Sequence, residues 1–406
     1  MKTQLFQWIF AAFALVATPY VQAAPAPGLD AQQDTLTTVD AYVMDEGIYD
    51  SSLEQKIGKL LESPMFRRTQ VGICIYDLTD QKPLYSFNPR QCMRPASTEK
   101  VITAVTALHV LGPSYQMTTR LYTDSQKKVY VRGGFDPLFD EKDMNAFVQA
   151  LKKAGIRQIS SSIVLDKSFK DNKEFGWGWC WDDKNTPLTP LLYKNKDRFA
   201  ENFRAALHKA GIRWKGSFRD GKVPAKAKVL CTRTHGLVEV MEPMMKESNN
   251  SMAESVFYQI GAQGKAPSTR RLCAEPVRTL IKEMGLHPGD YQVADGSGLS
   301  LYNYTTPELL TAMLRFAYDH DEVYKYLLYT LPIAAEDGTL EHRMAKTAAA
   351  GNVQAKTGTV EGISTLAGYC TAKNGNRLCF AIMNQGLRRM SDGRDFQDEV
   401  CKILCE

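Results

Sequence analysis

The sequence predicts a mixed α/β protein, with an antiparallel sheet flanked by helices and one smaller α/β module inserted into it. Two features near the ends of the chain predict the sheet: an alternating strand pair at residues 70–87 and a hairpin at residues 364–384. A third feature predicts the insertion, because short strand-like and helical runs alternate over residues 116–232. We expect the two end segments to meet in one sheet around the insertion.

The individual elements follow from periodicity and stop signals. Residues 70–77 and 84–87 are predicted strands, and Asn88-Pro89 ends the second one. Strands within the insertion are predicted at residues 128–131 and 162–165. Helices are predicted where apolar residues recur every three to four positions, at residues 53–61, 97–111, 144–154, 199–210, 251–261, 307–318 and 395–404.

The first 23 residues have the features of a secretory signal peptide. Lys2 precedes an apolar run over residues 5–17, and Val-Gln-Ala at residues 21–23 forms a small-residue cleavage site. The run falls short of the about 18 apolar residues that a membrane span needs. We therefore expect cleavage after Ala23, a linker at residues 24–40 and a periplasmic protein; a retained membrane anchor is the alternative.

Composition narrows the possible partners. The net charge of +5 over 406 residues comes without long Lys/Arg runs, which argues against nucleic acid and suits a carboxylate-bearing substrate. The histidines lack metal-ligand spacing and no phosphate-binding glycine loop is present, so neither a metal nor a cofactor is predicted. Peripheral association with a membrane and the oligomeric state stay open.

Nine cysteines would meet an oxidising compartment after export. Asn374-Gly375 predicts a two-residue type I′ turn. Counting outward from this turn places Cys370 directly opposite Cys379. A disulfide and a pair of reduced thiols are both compatible with that register.

Ser97 and Lys100 form a Ser-x-x-Lys motif at the start of the predicted helix 97–111. One helical turn separates the hydroxyl from the amine, so the amine can take the hydroxyl proton. Alone this spacing is weak, because chance produces it in a chain of this length and Ser97 also suits a helix N-cap.

Two more motifs follow in a set order, Ser-Asn-Asn at residues 248–250 and Lys-Thr-Gly at residues 356–358. Each has an ordinary structural explanation, as capping residues or as a strand edge. Ser-x-x-Lys, Ser-x-Asn and Lys-Thr-Gly in this order are typical of penicillin-binding proteins and class A β-lactamases. Their joint occurrence favours a catalytic set.

With these motifs the chain resembles the D-alanyl-D-alanine carboxypeptidase/endopeptidases of the S13 type, the class C low-molecular-mass penicillin-binding proteins. The resemblance extends over the mature chain to blocks at residues 132–137, 177–183, 253–254, 295–300 and 337–340. The Asp-Gly-Ser-Gly-Leu-Ser block at residues 295–300 distinguishes this family from β-lactamases.

The resemblance implies a penicillin-binding transpeptidase-like fold, with a five-stranded antiparallel sheet and a helical subdomain. The catalytic domain would span residues 41–115 and 233–406, and the inserted α/β domain residues 116–232. Family members carry two nested inserts between the first two motifs, whereas Ser97 and Ser248 are only 151 positions apart (248 minus 97). We expect the inner insert to be absent or vestigial.

The resemblance also implies roles for the motif residues. Ser97 would attack the D-Ala-D-Ala bond of a peptidoglycan stem peptide, and β-lactam antibiotics would acylate it as covalent inhibitors. Lys100 would be the base, with a pKa lowered by burial and by Lys356. Ser248 would relay a proton, and the amide of Asn250 would position Lys100 and the substrate. Lys356, Thr357 and Thr359 would bind the substrate's carboxylate, and Gly358 would let the backbone of its strand approach the substrate closely. The backbone amides of Ser97 and Thr359 would form the oxyanion hole.

Alternatives remain at this stage. A serine β-lactamase and a catalytically silent cell-wall binding protein would carry the same motifs, and carboxypeptidase and endopeptidase action are not distinguished. Asp295 and Asp337 are interpreted as loop-organising carboxylates. The tryptophans at residues 177, 179 and 181 could stack on glycan sugars, although packing in a small core is favoured.

Overall fold

The computed structural model describes residues 51–183, 185–263 and 267–406. The predicted signal peptide, the linker and the first residues of the predicted catalytic domain lie outside these ranges. The strands are β1 Gln70–Asp77, β2 Lys82–Phe87, β3 Gln116–Thr123, β4 Val129–Arg132, β5 Ile163–Asp166, β6 Phe218–Asp220, β7 Lys228–Gly236, β8 Gln354–Val360, β9 Ile363–Thr371 and β10 Arg377–Gln385. The α-helices are α1 Ser51–Leu61, α2 Glu99–Leu111, α3 Glu141–Lys153, α4 Phe199–Lys209, α5 Leu237–Lys246, α6 Asn250–Gly261, α7 Arg270–Glu283, α8 Pro307–Tyr318, α9 Asp321–Thr330 and α10 Met390–Cys405.

The first sheet has the order β2-β1-β10-β9-β8, and every neighbouring pair is antiparallel. Strands from both ends of the described chain therefore meet in one sheet, which confirms the predicted five-stranded antiparallel arrangement. β9 and β10 are buried almost throughout, as expected for central strands covered on both faces.

Alternation along β1 sorts the side chains between two helical layers. Ile73 and Ile75 pack into a core with residues of α1 and α10, whereas Cys74 and Tyr76 face the helices on the other side of the sheet. The larger of the two cores contains α2 and the helices α5 to α9. α2 is buried on all sides from Glu99 to Leu108, so its apolar residues occupy more than the single predicted stripe.

The second sheet is built from residues 116–236 and has the order β6-β5-β4-β3-β7. The β4–β5 and β5–β6 pairs are parallel, and the other two pairs are antiparallel. This sheet has its own apolar core, formed with α3 and α4. Between β5 and α4, the described residues 167–183 and 185–198 contain neither a helix nor a strand.

The last hairpin is present, but the predicted register is wrong by one residue. Cys370 pairs with Leu378, and Tyr369 pairs with Cys379. The turn contains one more residue than a two-residue loop, with Gly375 in the left-handed region at φ 90°. This is the geometry of a three-residue loop that ends in a glycine bulge.

The extra residue places the two cysteines on opposite faces of the sheet. Cys370 lies in the core that contains α1 and α10, and Cys379 lies in the core of the other face. Of the two alternatives left open for Cys370 and Cys379, the disulfide is therefore wrong, and all nine cysteines are free thiols. In the described part of the chain, no helix is long and apolar enough to cross a membrane.

Candidate active site

Ser97 lies in a short 3₁₀ turn, Ala96–Thr98, immediately before α2, and not in the first turn of the α-helix as predicted. The N-cap position of α2 belongs to Thr98, whose hydroxyl donates instead to the carbonyl of Pro95 at 2.7 Å. The explanation of Ser97 as a helix cap is therefore wrong. The turn leaves its hydroxyl free to meet the next motif residue.

Lys100 lies one turn further on and is completely buried. Its Nζ donates to Ser97 Oγ at 3.0 Å, to Asn250 Oδ1 at 2.7 Å and to the carbonyl of Ser297 at 2.7 Å. Burial lowers the pKa of Lys100 to about 8, although the negative charges of nearby carboxylates, with Asp295 foremost, oppose this shift. Lys100 is thus held against Ser97 with a pKa suited to a base near neutral pH.

The Ser-Asn-Asn motif leads into α6. Asn249 caps the helix by accepting from the amide of Met252 at 3.1 Å, and Asn250 reaches Lys100 from the first helical position. Ser248 has left-handed backbone, at φ 59°. Its hydroxyl has no hydrogen-bond partner among the described residues.

The Lys-Thr-Gly motif lies on β8, the edge strand of the first sheet, which passes directly beside Ser97. A Cβ added at Gly358 would lie 2.9 Å from the amide nitrogen of Ser97 and 2.8 Å from the carbonyl oxygen of Pro95. Lys356 is completely buried, and burial followed by the positive charge of Lys100 lowers its pKa well below the usual range. Thr357 is half-buried and Thr359 is exposed.

Three segments that are distant in sequence thus converge on one site, with Ser97, Lys100 and Asn250 joined by direct hydrogen bonds. The sequence profile of the D-Ala-D-Ala carboxypeptidase 3 (S13) family matches residues 53–192 and 192–406, which is nearly all of the described chain. The chain belongs to this family. It is therefore a serine-type peptidase.

Two curated relatives extend over most of the chain. The D-alanyl-D-alanine carboxypeptidase DacB of Haemophilus influenzae is 25% identical over 412 residues, covering 78% of this chain and 86% of its own length. A D-alanyl-D-alanine carboxypeptidase of an Actinomadura species is 25% identical over 439 residues, covering 83% of this chain and 81% of its own length.

A crystal structure of penicillin-binding protein 4 (DacB) from H. influenzae has the same fold. It superposes with a TM-score of 0.76 at 23% identity, covering 87% of this chain and 99% of the other. A structure of that protein in complex with a β-lactam gives a TM-score of 0.71 at 24% identity, covering 88% of this chain and 100% of the other. These likenesses confirm the predicted penicillin-binding fold.

The S13 site also contains groups to which the sequence assigned no catalytic part. The Asp-Gly-Ser-Gly-Leu-Ser block supplies the Ser297 carbonyl to Lys100, and Glu254 accepts a hydrogen bond from the amide of the same residue. Gly298, at φ 81°, lies against the carbonyl of Ala96 so closely that a side chain would overlap it. The resemblance to the S13 family includes these blocks. The role of the Ser297 carbonyl could not be predicted from the sequence, because every residue has a backbone carbonyl.

Asp337 and Thr339 contact residues next to the second motif and within the third motif. Asp337 forms an ion pair with Lys246 at the end of α5, two residues before the Ser-Asn-Asn motif. Thr339 of the same block accepts a hydrogen bond from the hydroxyl of Thr357 at 2.8 Å. Asp337 therefore organises a loop, as predicted, and links the second motif to the third.

The tryptophan-rich segment departs from its favoured interpretation. Trp181 is 97% exposed and Trp177 46% exposed, and Trp177 packs against Tyr302 with ring centroids 4.8 Å apart. Only Trp179 packs against the core, and its Nε1 donates to Asp295 at 2.8 Å. Packing in the core of the small module is thus wrong for all three tryptophans, because Trp179 packs against the large core that contains α2.

Proposed function

We propose that this S13 peptidase hydrolyses the terminal D-Ala-D-Ala bond of peptidoglycan stem peptides, and D-Ala crosslinks, through an acyl-enzyme on Ser97. The observation that carries the proposal is the direct hydrogen bond between Ser97 Oγ and the amine of Lys100. With a pKa of about 8, roughly a tenth of Lys100 is neutral at pH 7, against a negligible fraction for an ordinary lysine. Lys100 is thus available as a base where most lysines are not.

The first step is attack on the scissile carbonyl. Neutral Lys100 takes the Ser97 proton as Oγ bonds to the carbonyl carbon, and the carbonyl oxygen becomes an anion. The backbone amides of Ser97 and Thr359 form the oxyanion hole. The absence of a side chain at Gly358 supports this assignment, because it lets β8 come close to the amide of Ser97.

Collapse of the tetrahedral intermediate requires a proton on the leaving amine. Ser248 relays that proton from Lys100, and Asn250 holds Lys100 and the substrate amide in place. Water then resolves the acyl-enzyme. A β-lactam follows the same first step and leaves a stable adduct on Ser97, in keeping with the β-lactam bound in the related H. influenzae structure.

The terminal carboxylate of the substrate is bound near β8. Lys356 supplies the cationic field from a buried position, and the hydroxyls of Thr357 and Thr359 make the direct contacts. Exposure of Thr359 and the link from Thr357 to Thr339 support this division of roles.

The signal-peptide features of the sequence support a periplasmic location for this reaction, on the cell-wall side of the membrane. Residues 116–232 form the inserted domain of a catalytic domain made of residues 41–115 and 233–406. The two matched segments of the family profile meet at residue 192, inside the stretch where we place the missing inner insert.

The test uses the mature chain and a Ser97→Ala control. D-Ala release from a small D-Ala-D-Ala peptide and cleavage of crosslinks in whole sacculi are expected of the wild type and not of the variant. Labelling by fluorescent penicillin should give one stable adduct on Ser97. Rapid multiple turnover of penicillin would favour the β-lactamase alternative, and a chain that neither released D-Ala nor became labelled would be a silent binding protein.

A further inference from the structure

Three carboxyl groups lie behind Lys100, and the mechanism above gives none of them a role. They are Glu99 on α2, Glu254 on α6 and Asp295 in the loop that precedes α8, each only 1% exposed. Buried carboxylates are costly unless they are paired or protonated. Their placement around the base of the reaction therefore calls for an explanation.

Glu254 holds the backbone that contacts Lys100. Its Oε1 accepts from the amides of Gly296 at 3.1 Å and Ser297 at 2.9 Å, and the carbonyl of Ser297 accepts from Lys100 Nζ at 2.7 Å. The loop has little room to shift, because a Cβ at Gly296 would lie 2.9 Å from the carbonyl oxygen of Ala253. Glu254 thus reaches Lys100 through a single residue, Ser297, whose amide it binds and whose carbonyl binds the lysine.

The three carboxyls differ in their hydrogen-bond partners. Asp295 accepts from four N–H donors, which belong to Trp179, Gly298, Ser300 and Asn303. Glu99 has a buried Oε1 without a partner among the described residues, and burial raises its pKa well above the usual range.

Glu254 has hydrogen-bond donors, as Asp295 does, and a raised pKa, as Glu99 does. Burial and the charge of Asp295 raise its pKa to about 8, the same value to which Lys100 is lowered. The two groups therefore titrate over one pH range and influence each other's protonation. The other titratable groups around them are Glu99, Asp295 and Lys356 near Lys100, and Tyr258 and Cys273 near Glu254.

We propose that Glu254 is a positioning residue for Lys100: it fixes the Ser297 carbonyl against the amine, and its charge sets the pH at which Lys100 becomes able to accept the Ser97 proton. This inference rests on the proposed function, in which Lys100 is the base. Glu254 touches neither the substrate nor Ser97, and it acts only through Lys100.

The test measures the rate of acylation by fluorescent penicillin as a function of pH, on the mature chain. Glu254→Gln keeps an oxygen for the two amides but removes the charge that favours protonated Lys100. We expect the midpoint of the profile to move down by about half a pH unit, because Glu254 is only partly ionised in the range where Lys100 titrates. The two profiles should coincide at pH 6, where the Glu254 carboxyl is protonated, and should differ most near pH 8, where the variant should be acylated about 1.5-fold faster relative to its own plateau.

Two further variants separate charge from position. Glu254→Asp keeps the carboxyl group and shortens the side chain, so it should lower the plateau rate of acylation and leave the midpoint of the pH profile in place. It also tests the proposal if Glu254→Gln does not fold. Glu99→Gln is the matched control, because Glu99 is equally buried but influences Lys100 less than Glu254 does, so its midpoint should move less than that of Glu254→Gln.

The proposal is overturned if Glu254→Gln has the wild-type midpoint, if Glu254→Asp moves it, or if Glu99→Gln moves it as far as Glu254→Gln does. The same assay separates this outcome from failure of the proposed function. If the wild type is not acylated, or if Ser97→Ala still is, the proposed function fails; otherwise only the role of Glu254 is in question.

Discussion

Replacing Gly358 by alanine tests whether β8 must touch the nucleophile turn. The new methyl group would lie 2.8 Å from the carbonyl oxygen of Pro95 and 2.9 Å from the amide of Ser97, and it would overlap Thr365 Oγ1. None of these atoms can easily move away from the new methyl group. Two are backbone, and the Thr365 hydroxyl is held by its own bond to the Pro95 carbonyl at 2.7 Å.

The expected cost is that of overpacking a filled site, about 1–3 kcal/mol of unfolding free energy. The melting temperature should fall by a few degrees. The effect on chemistry should be larger, because a shift of Ser97 by about 1 Å costs on the order of 100-fold in rate.

The assay compares fluorescent-penicillin acylation and thermal unfolding of Gly358→Ala with those of Gly58→Ala. Gly58 lies in α1, and a Cβ there meets nothing within 4 Å. The control should therefore gain about 0.5–1 kcal/mol in helix stability and keep the wild-type acylation rate. Acylation of Gly358→Ala within about two-fold of wild type would refute the close approach of β8 to Ser97.

Three other predictions concern regions away from the nucleophile. Asp136 accepts from His235 at 2.7 Å and raises the pKa of that ring, so the stabilisation is complete below about pH 6.5 and is lost as the pH rises through the raised value. The difference in melting temperature between wild type and His235→Gln should therefore shrink from pH 6 to pH 9, and a growing difference would contradict the pairing. Mass spectrometry of unreduced peptides should find no bridge between Cys370 and Cys379, because they face opposite sides of the sheet. Trp181→Ala should leave the melting temperature unchanged, since the ring is 97% exposed, and a large loss would show that it packs in solution.

The sequence predicts the strongly periodic elements well. β1 has the predicted bounds Gln70–Asp77, and α8 has the predicted bounds Pro307–Tyr318, because alternation and an N-terminal proline mark them clearly. α5 and α7 were not predicted, and each contains an internal proline that interrupts the helical signal, at Pro243 and Pro276.

Register and exposure are harder to predict because they depend on contacts distant in sequence. Asn374-Gly375 favours a two-residue turn locally, yet the hairpin accommodates one more residue with Gly375 in a bulge. Likewise, the tryptophan-rich segment is apolar enough to form a core. How far Trp177 is covered depends on where the loop at Tyr302 is placed, which no local pattern encodes.

The motifs alone also do not explain why the two active-site lysines should behave differently. Lys100 and Lys356 are both completely buried, and burial lowers the pKa of each. Nearby carboxyls, with Asp295 foremost, offset part of the loss of solvation at Lys100, so its pKa remains near 8. Lys356 has no such carboxyl among its principal influences, and the charge of Lys100 lowers its pKa further.

This difference matches the two roles that we propose. A base must release its proton easily and regain it during attack, which suits a lysine balanced by carboxylates near pH 8. Lys356, in contrast, would be paired by the substrate. The carboxylate of the substrate brings a negative charge next to Lys356, where the protein has none among the main influences, and this charge favours the protonated amine. The direct hydrogen bond from Lys100 to Ser97, together with these carboxyls, is therefore the reason why we assign the role of base to Lys100 and not to the equally buried Lys356.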